Sequence, residues 1–116
     1  MEIRLLRNNS EIYILELNGS LDLYNSIRLR DIAIKIAERE ITGIIIDMKA
    51  VENIESAGIG ALICISSTLK KINCSFAITN VVGVVRRTIE ITKLTGYLPI
   101  TQTLSEAVET INASVS

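Results

Sequence analysis

The sequence predicts an α/β domain built on a mixed, mostly parallel sheet of four to five strands, opening with an N-terminal hairpin and packed with about four helices. Three patterns lead there. The chain starts with polar and apolar residues in alternation, Glu2-Ile3-Arg4-Leu5. A solid apolar triplet, Ile44-Ile45-Ile46, has the character of a central strand buried on both faces. From Asn25 onward, stretches of helical periodicity alternate with short apolar runs, the order of βα units joined by right-handed crossovers.

Ile3 and Leu5 give a first short strand one apolar face. Asn8-Asn9-Ser10 has turn chemistry and Ile12 to Leu17 is a second strand, so the two form an antiparallel hairpin. Gly19-Ser20-Leu21-Asp22 is expected to break that strand. Between Asn25 and Glu40, Leu29, Ile32, Ala33, Ile36 and Ala37 share one helical face. Arg28, Arg30, Asp31, Lys35 and Glu38 lie outside that face, and Ile27 and Ile34 lie off the stripe. Gly43 leads into the triplet, Asp47 closes it, and a loop is expected from there to Glu55. Ser56 to Ile72 is a second helix, begun near two glycines and ended at Lys70-Lys71, cations that suit the negative end of its dipole. Ser75 to Thr79 is a strand, and Val82 to Thr95 is a third helix stopped by Gly96 and Pro99. Ile100-Thr101 is a last short strand, and Leu104 to Ile111 an amphipathic helix with Ser105 as its cap. No repeat, low-complexity tract or linker interrupts the pattern, so residues 1–116 are expected to form one domain.

Composition narrows the chemistry. Of 116 residues 48% are apolar and the net charge is −1, which excludes a mainly disordered chain. Twelve basic residues against 13 acidic ones leave no positive field to recruit phosphates, so nucleic acid is not an expected partner. The absence of His removes Ser–His and Cys–His nucleophile pairs and the commonest transition-metal ligand. Cys64 and Cys74, with nine residues between them, have no CxxC or zinc-type spacing, and Cys64 lies in an apolar run that suggests a buried reduced thiol. No metal is expected, and no cofactor: a GxxxxGK[ST] loop is missing, and Gly58-x-Gly60 lacks a third glycine. The longest uncharged runs, Ser56 to Leu69 and Ile72 to Val85, are too short to span a bilayer and contain Ser, Thr, Asn and Gly. Direct membrane insertion is therefore not expected, and the expected compartment is the cytoplasm.

The stretch that carries chemistry is Asp47 through Leu62, D-M-K-A-V-E-N-I-E-S-A-G-I-G-A-L. Ser56 stands where a helix begins, close to unpaired backbone N–H groups and the positive end of the dipole. Gly58 and Gly60 strip side chains from the first turns, which permits tight packing or the close approach of another backbone. Three readings of Ser56 are open on chemistry alone. It caps the helix, the least demanding role. It is a hydrolase nucleophile, against which stand the missing Gly-x-Ser-x-Gly and the missing His. Or it accepts a phosphoryl group at the helix start beside Glu55. Asp47 after a central strand is also the arrangement of response-regulator receivers, but the acidic pair expected after their first parallel strand is missing. Arg86-Arg87 and Lys70-Lys71 suit solvated helix faces. The second helix is apolar nearly all round, through Ile59, Ala61, Leu62, Ile63, Cys64, Ile65, Leu69 and Ile72. A helix on a sheet needs only one stripe, so flanking helices or a partner protein must cover the surplus.

Gly19-x-Leu21-Asp22, then Ile44-Ile45-Ile46-Asp47-Met48, then Ile54-Glu55-Ser56-Ala57-Gly58-Ile59-Gly60-Ala61-Leu62 resembles the STAS domain of bacterial anti-sigma-factor antagonists. The resemblance covers essentially the whole chain in length and element order, and implies a STAS-like single domain. It implies that Ser56 is phosphorylated by a partner that is both anti-sigma factor and ATP-dependent serine kinase, and reset by a phosphatase. Asp22, Glu55, Ala57, Gly58, Ile59, Gly60 and Leu62 would then surround the phosphosite and meet the partner. The expected protein is a binding module in transcription regulation, not an enzyme, and a monomer when free. Glu55 departs from the Asp usual in the family, and Ala57 replaces a frequent second Ser, leaving Ser56 the only hydroxyl of that turn. Some STAS proteins instead serve as subunits in phosphorelays or lipid transport, which keeps the fold and changes the role.

Overall fold

The structure, a computed structural model, describes residues 1–8 and 11–113. Asn9 and Ser10 of the expected turn lie outside the described residues. The elements run β1 (Glu2–Arg7), β2 (Ile12–Leu21), α1 (Leu23–Ala37), β3 (Gly43–Ile54), α2 (Ser56–Lys71), β4 (Ser75–Thr79), α3 (Gly83–Thr92), a 3₁₀ turn (Thr95–Tyr97), β5 (Ile100–Thr101) and α4 (Leu104–Ala113). Among the described residues the strands form one five-stranded sheet in sequential order, β1-β2-β3-β4-β5. β1 and β2 are antiparallel, with Leu5 opposite Leu15; the other three pairings are parallel.

Alternation along the strands decides which residues meet which helices. Leu15 and Leu17 of β2 and Ile44, Ile46 and Met48 of β3 join the larger core. There they pack with Leu29 and Ala33 of α1, Leu62 and Ile65 of α2, and Val85 and Ile89 of α3. Ile12, Ile14, Ile45 and Ala77 point the other way, onto Ala107 and Ile111 of α4. The isoleucine triplet is fully buried because its side chains supply both cores. The apolar surplus of α2 is largely covered from within the chain, where α1 packs along it. Ile63 is half-buried against the larger core, while Ile72 remains 47% exposed.

Several boundaries differ from expectation, each for a local reason. β2 does not break at Gly19 but continues to Leu21. Gly19 adopts φ +119°, a conformation L side chains rarely take, and the register with β3 shifts between Gly19 and Ser20, so the strand bulges and resumes. β3 likewise has no loop after Asp47: it stays paired to the bulged end of β2 as far as Ile54, burying Val51 and Ile54 while Glu52 and Asn53 face solvent. α1 starts two residues early because Asp22 caps it, its Oδ1 accepting from the Asn25 N–H at 2.9 Å. α3 ends at Thr92, before Gly96, where Lys93 takes a left-handed conformation. α4 is capped by Thr103 and not by Ser105: the Glu106 N–H donates to Thr103 Oγ1 at 3.1 Å.

Candidate functional site

The long parallel pair β2–β3 builds the site. Its last register position is Leu21 opposite Ile54. After each of these residues comes one cap residue and then a helix: Asp22 and α1 on one strand, Glu55 and α2 on the other. The Glu55 N–H donates to Leu21 O at 3.0 Å and locks the two exits together. Asp22 and Leu23 are thereby set beside Glu55 and Ser56 by sheet register, although more than thirty positions separate them in the chain.

The two caps behave differently. Asp22 is half-buried and spends its carboxylate on α1, while the Asp22 carbonyl accepts from both the Ser26 N–H and the Ser26 hydroxyl. Glu55 is exposed and makes no side-chain cap bond, since its extra methylene carries the carboxylate past the short loop that an N-cap closes. Ser56 is therefore not the helix cap: it is the first residue of α2 and exposed to solvent. The start of α2 thus has no side-chain cap from Glu55, and its dipole places a partial positive charge next to the Ser56 hydroxyl.

The two glycines have opposite roles. A Cβ at Gly58 would lie 2.8 Å from Ile54 Cγ1 and 2.9 Å from both Leu21 Cγ and Leu21 O, so this glycine lets α2 seat on the strand ends. A Cβ at Gly60 would meet nothing within 4 Å. Ile59 and Leu62, expected among the partner-facing residues, are 2% and 0% exposed and belong to the core beneath the site. Of the expected site residues, Glu55, Ser56 and Gly60 are exposed and Asp22 and Ala57 are half-buried.

Sequence reasoning missed two features here. One is the bracing of the first turn of α1: buried Asn25 donates from Nδ2 to Ser20 O at 3.1 Å and accepts from Arg28 Nη1 at 3.1 Å, and Arg28 also reaches Met1 O. An Asn three residues after an Asp was its only trace in the sequence. The other is the exposure of Leu23 and Tyr24 at the start of α1; Leu23, together with Ile27, which the sequence already placed off the helix's apolar stripe, lines a groove of about 190 Å³ against α2. Asp47 is a structural group: it is buried, and its Oδ1 accepts from the Lys49 N–H and from Asn80 Nδ2. Of the two cysteines, Cys74 is the buried one, and desolvation pushes its thiol up to about 11; Cys64 is half-buried in the α1–α2 groove. Among the described residues no group of three or more Cys, Asp and Glu is placed to hold a metal ion, and no helix is long and apolar enough to cross a membrane.

Solved structures with this architecture include one from Thermotoga maritima with 22% identity and a TM-score of 0.83, matching 95% of this chain and 94% of that one. An anti-sigma factor antagonist from Mycobacterium paratuberculosis has 22% identity and a TM-score of 0.81, over 96% and 95% of the two chains. The anti-sigma factor antagonist SpoIIAA, unphosphorylated, has 18% identity and a TM-score of 0.78, over 97% of both. SpoIIAA of Bacillus is also known in a phosphorylated form, with a TM-score of 0.69 at 18% identity over 95% of this chain and 99% of that one. At such identities the likeness is one of fold. A search of curated proteins by sequence returns no match. The STAS domain profile matches residues 4–107, from β1 into the first turn of α4, and with it the whole frame that sets Ser56 beside Asp22: the chain belongs to the STAS domain family.

Proposed function

We propose that this chain is an anti-sigma factor antagonist. It acts as a binding module, not as an enzyme. Unmodified, it sequesters an anti-sigma factor that is also a serine kinase; phosphorylation of Ser56 by that kinase releases it, and a phosphatase restores the hydroxyl. The observation that carries the reading is the position of Ser56: exposed at the first residue of α2, on a helix start with no side-chain cap, directly after Glu55 and at the strand ends where β2 leads into Asp22. The existence of SpoIIAA, of the same fold, in unphosphorylated and phosphorylated forms supports it.

The switch needs only charge. A phosphoryl group adds about −1.5 to −2 charges beside two existing carboxylates. At about 6 Å and an effective dielectric of roughly 40, each acidic group facing it costs on the order of 2 to 3 kcal/mol. One such contact across an interface weakens a complex about 30- to 150-fold. A partner that seats an acidic group, or its own ATP phosphates, near Ser56 is expelled without any change of fold.

Intact-mass and phosphopeptide analysis of the protein from its native cells is the direct test: one phosphoryl group mapped to Ser56 is expected. Ser56→Ala should then hold the kinase persistently, and Ser56→Asp should bind it at least tenfold more weakly. Equal affinity of wild type, Ser56→Ala and Ser56→Asp removes the charge switch. A protein unmodified under every growth condition favours a constitutive subunit.

A further inference from the structure

The face of the sheet that α4 covers is closed only part-way along the strands. α4 has ten residues and spans about 15 Å, whereas the twelve residues of β3 run for about 40 Å. The apolar contacts with α4 include Ile14, Ile45 and Ala77. Two positions further along each strand, on the same face, Glu16, Asp47 and Thr79 stand side by side in register. The row continues to Arg4 on β1 and Thr101 on β5, so it is polar on all five strands. A solvated row would need no explanation, but Asp47 is only 8% exposed. We infer that the cavity beside it binds a small zwitterion of the amino-acid type, with the ammonium on Asp47 and the carboxylate toward Lys49. The cavity measures about 160 Å³, and its polar lining is Glu2, Arg4, Glu16, Asn18, Asp47 and Lys49.

The two oxygens of Asp47 differ. Its structural bonds occupy Oδ1 alone, which accepts from the Lys49 N–H at 3.0 Å and from Asn80 Nδ2 at 2.9 Å. Among the described residues Oδ2 accepts no hydrogen bond and Asp47 joins no ion pair. Nor is Oδ2 sealed away from the cavity, because Thr79 Oγ1 is the buried side-chain oxygen left without a partner among the described residues. A carboxylate withdrawn from bulk water with one oxygen open is costly until a donor meets it. The lining selects that donor. Arg4 is committed to Glu16 at 3.3 Å. Lys49 forms no ion pair among the described residues, and a bulge puts it here: β3 carries one extra residue where its register with β2 shifts between Glu16 and Asn18. An ammonium is donor-only and a carboxylate acceptor-only, so one zwitterion satisfies Asp47 and Lys49 together. A simple anion would instead meet Asp47 and Glu2, and a simple cation would meet Lys49. The volume lies well below the roughly 300–1,000 Å³ of drug-sized pockets, which limits the ligand to amino-acid size.

The test is a ¹H–¹⁵N NMR titration of the whole chain with each of the common amino acids in turn, at constant pH and ionic strength, to about 10 mM, enough to saturate a site of millimolar Kd. Saturable shifts of the Asp47, Lys49 and Asn80 amides with at least one amino acid are expected. The N-trimethylated form of that amino acid keeps the positive charge, lacks every N–H donor, and should bind at least tenfold more weakly. Asp47→Asn keeps Oδ1 for the Lys49 N–H and Asn80, and turns an amide NH₂ toward the ammonium. Lys49→Gln removes the partner of the carboxylate at an exposed position. Each should weaken binding at least tenfold, whereas Lys70→Gln, an exposed lysine on α2, should leave it unchanged. Circular dichroism melts confirm folding, and if Asp47→Asn does not fold, Lys49→Gln and the trimethylated ligand decide. No saturable shift with any amino acid overturns the inference and leaves the cavity to water. Wild-type affinity in Lys49→Gln, or for the trimethylated ligand, overturns it as well. Ser56 takes no part in this site, so neither result bears on the reading of that residue.

Discussion

Two glycines only two residues apart, on opposite sides of α2, should respond to alanine in opposite directions. At Gly58 the new methyl group would lie 2.8 Å from Ile54 Cγ1 and 2.9 Å from Leu21 Cγ and from Leu21 O. The two side chains can shift, but Leu21 O is held where it accepts the Glu55 N–H at 3.0 Å. Overpacking of this kind costs about 1–3 kcal/mol, and the helical gain from replacing glycine returns about 0.5–1 kcal/mol. Gly58→Ala should therefore be less stable by about 0.5–2 kcal/mol. At Gly60 the methyl group meets nothing within 4 Å, so only the helical gain remains and Gly60→Ala should be more stable by about 0.5–1 kcal/mol. Urea unfolding followed by circular dichroism measures both, with an unchanged dependence on denaturant showing that the unfolded state is the same. For a domain of this size 1 kcal/mol moves Tm by roughly 4 °C, so the two variants should melt on either side of wild type. A Gly58→Ala protein as stable as wild type would refute the claim that α2 seats on the strand ends through this residue.

Three further outcomes are expected. Asp22→Ala removes the 2.9 Å bond to the Asn25 N–H and should cost about 1 kcal/mol in thermal unfolding; no loss would show that the α1 start does not depend on its cap. Glu55→Asp places a competent cap before α2 and should gain about 0.5–1 kcal/mol, whereas a loss would show that the longer side chain has a contact worth more than a cap. The Cys74 thiol is raised by burial from 9.0 to about 11, so its protonated form is favoured in the folded state. Its contribution is complete below pH 9 and is lost as pH rises through 11, because the unfolded chain releases this proton first. Unfolding at pH 8 and pH 10.5 should show that loss, on the order of 1–2 kcal/mol, in wild type and not in Cys74→Ala. An equal loss in Cys74→Ala would assign it to other groups.

Periodicity made the element order legible in the sequence. The triplet Ile44-Ile45-Ile46, the stripe Leu29-Ala33-Ile36 and the alternation of β1 all state a burial pattern that a strand or helix must satisfy locally. The segment around Ser56 was legible for the same reason, as a buried strand followed by a serine and two glycines at a helix start. The ends of elements were not, because they depend on partners distant in the chain. Gly19 and the polar residues after Asp47 have the composition of loops, yet β2 and β3 remain extended to Leu21 and Ile54 because each supplies the hydrogen bonds of the other. The same long-range pairing puts Asp22 beside Ser56, divides Gly58 from Gly60, and sinks Ile59 and Leu62 into the core while exposing Leu23 and Tyr24. Sequence by itself determined which segments form strands and helices and that Ser56 stands at a helix start, since those follow from each segment's own pattern. Only the tertiary structure decided which side chains are exposed around it, since exposure is settled by what packs against a residue from elsewhere in the chain.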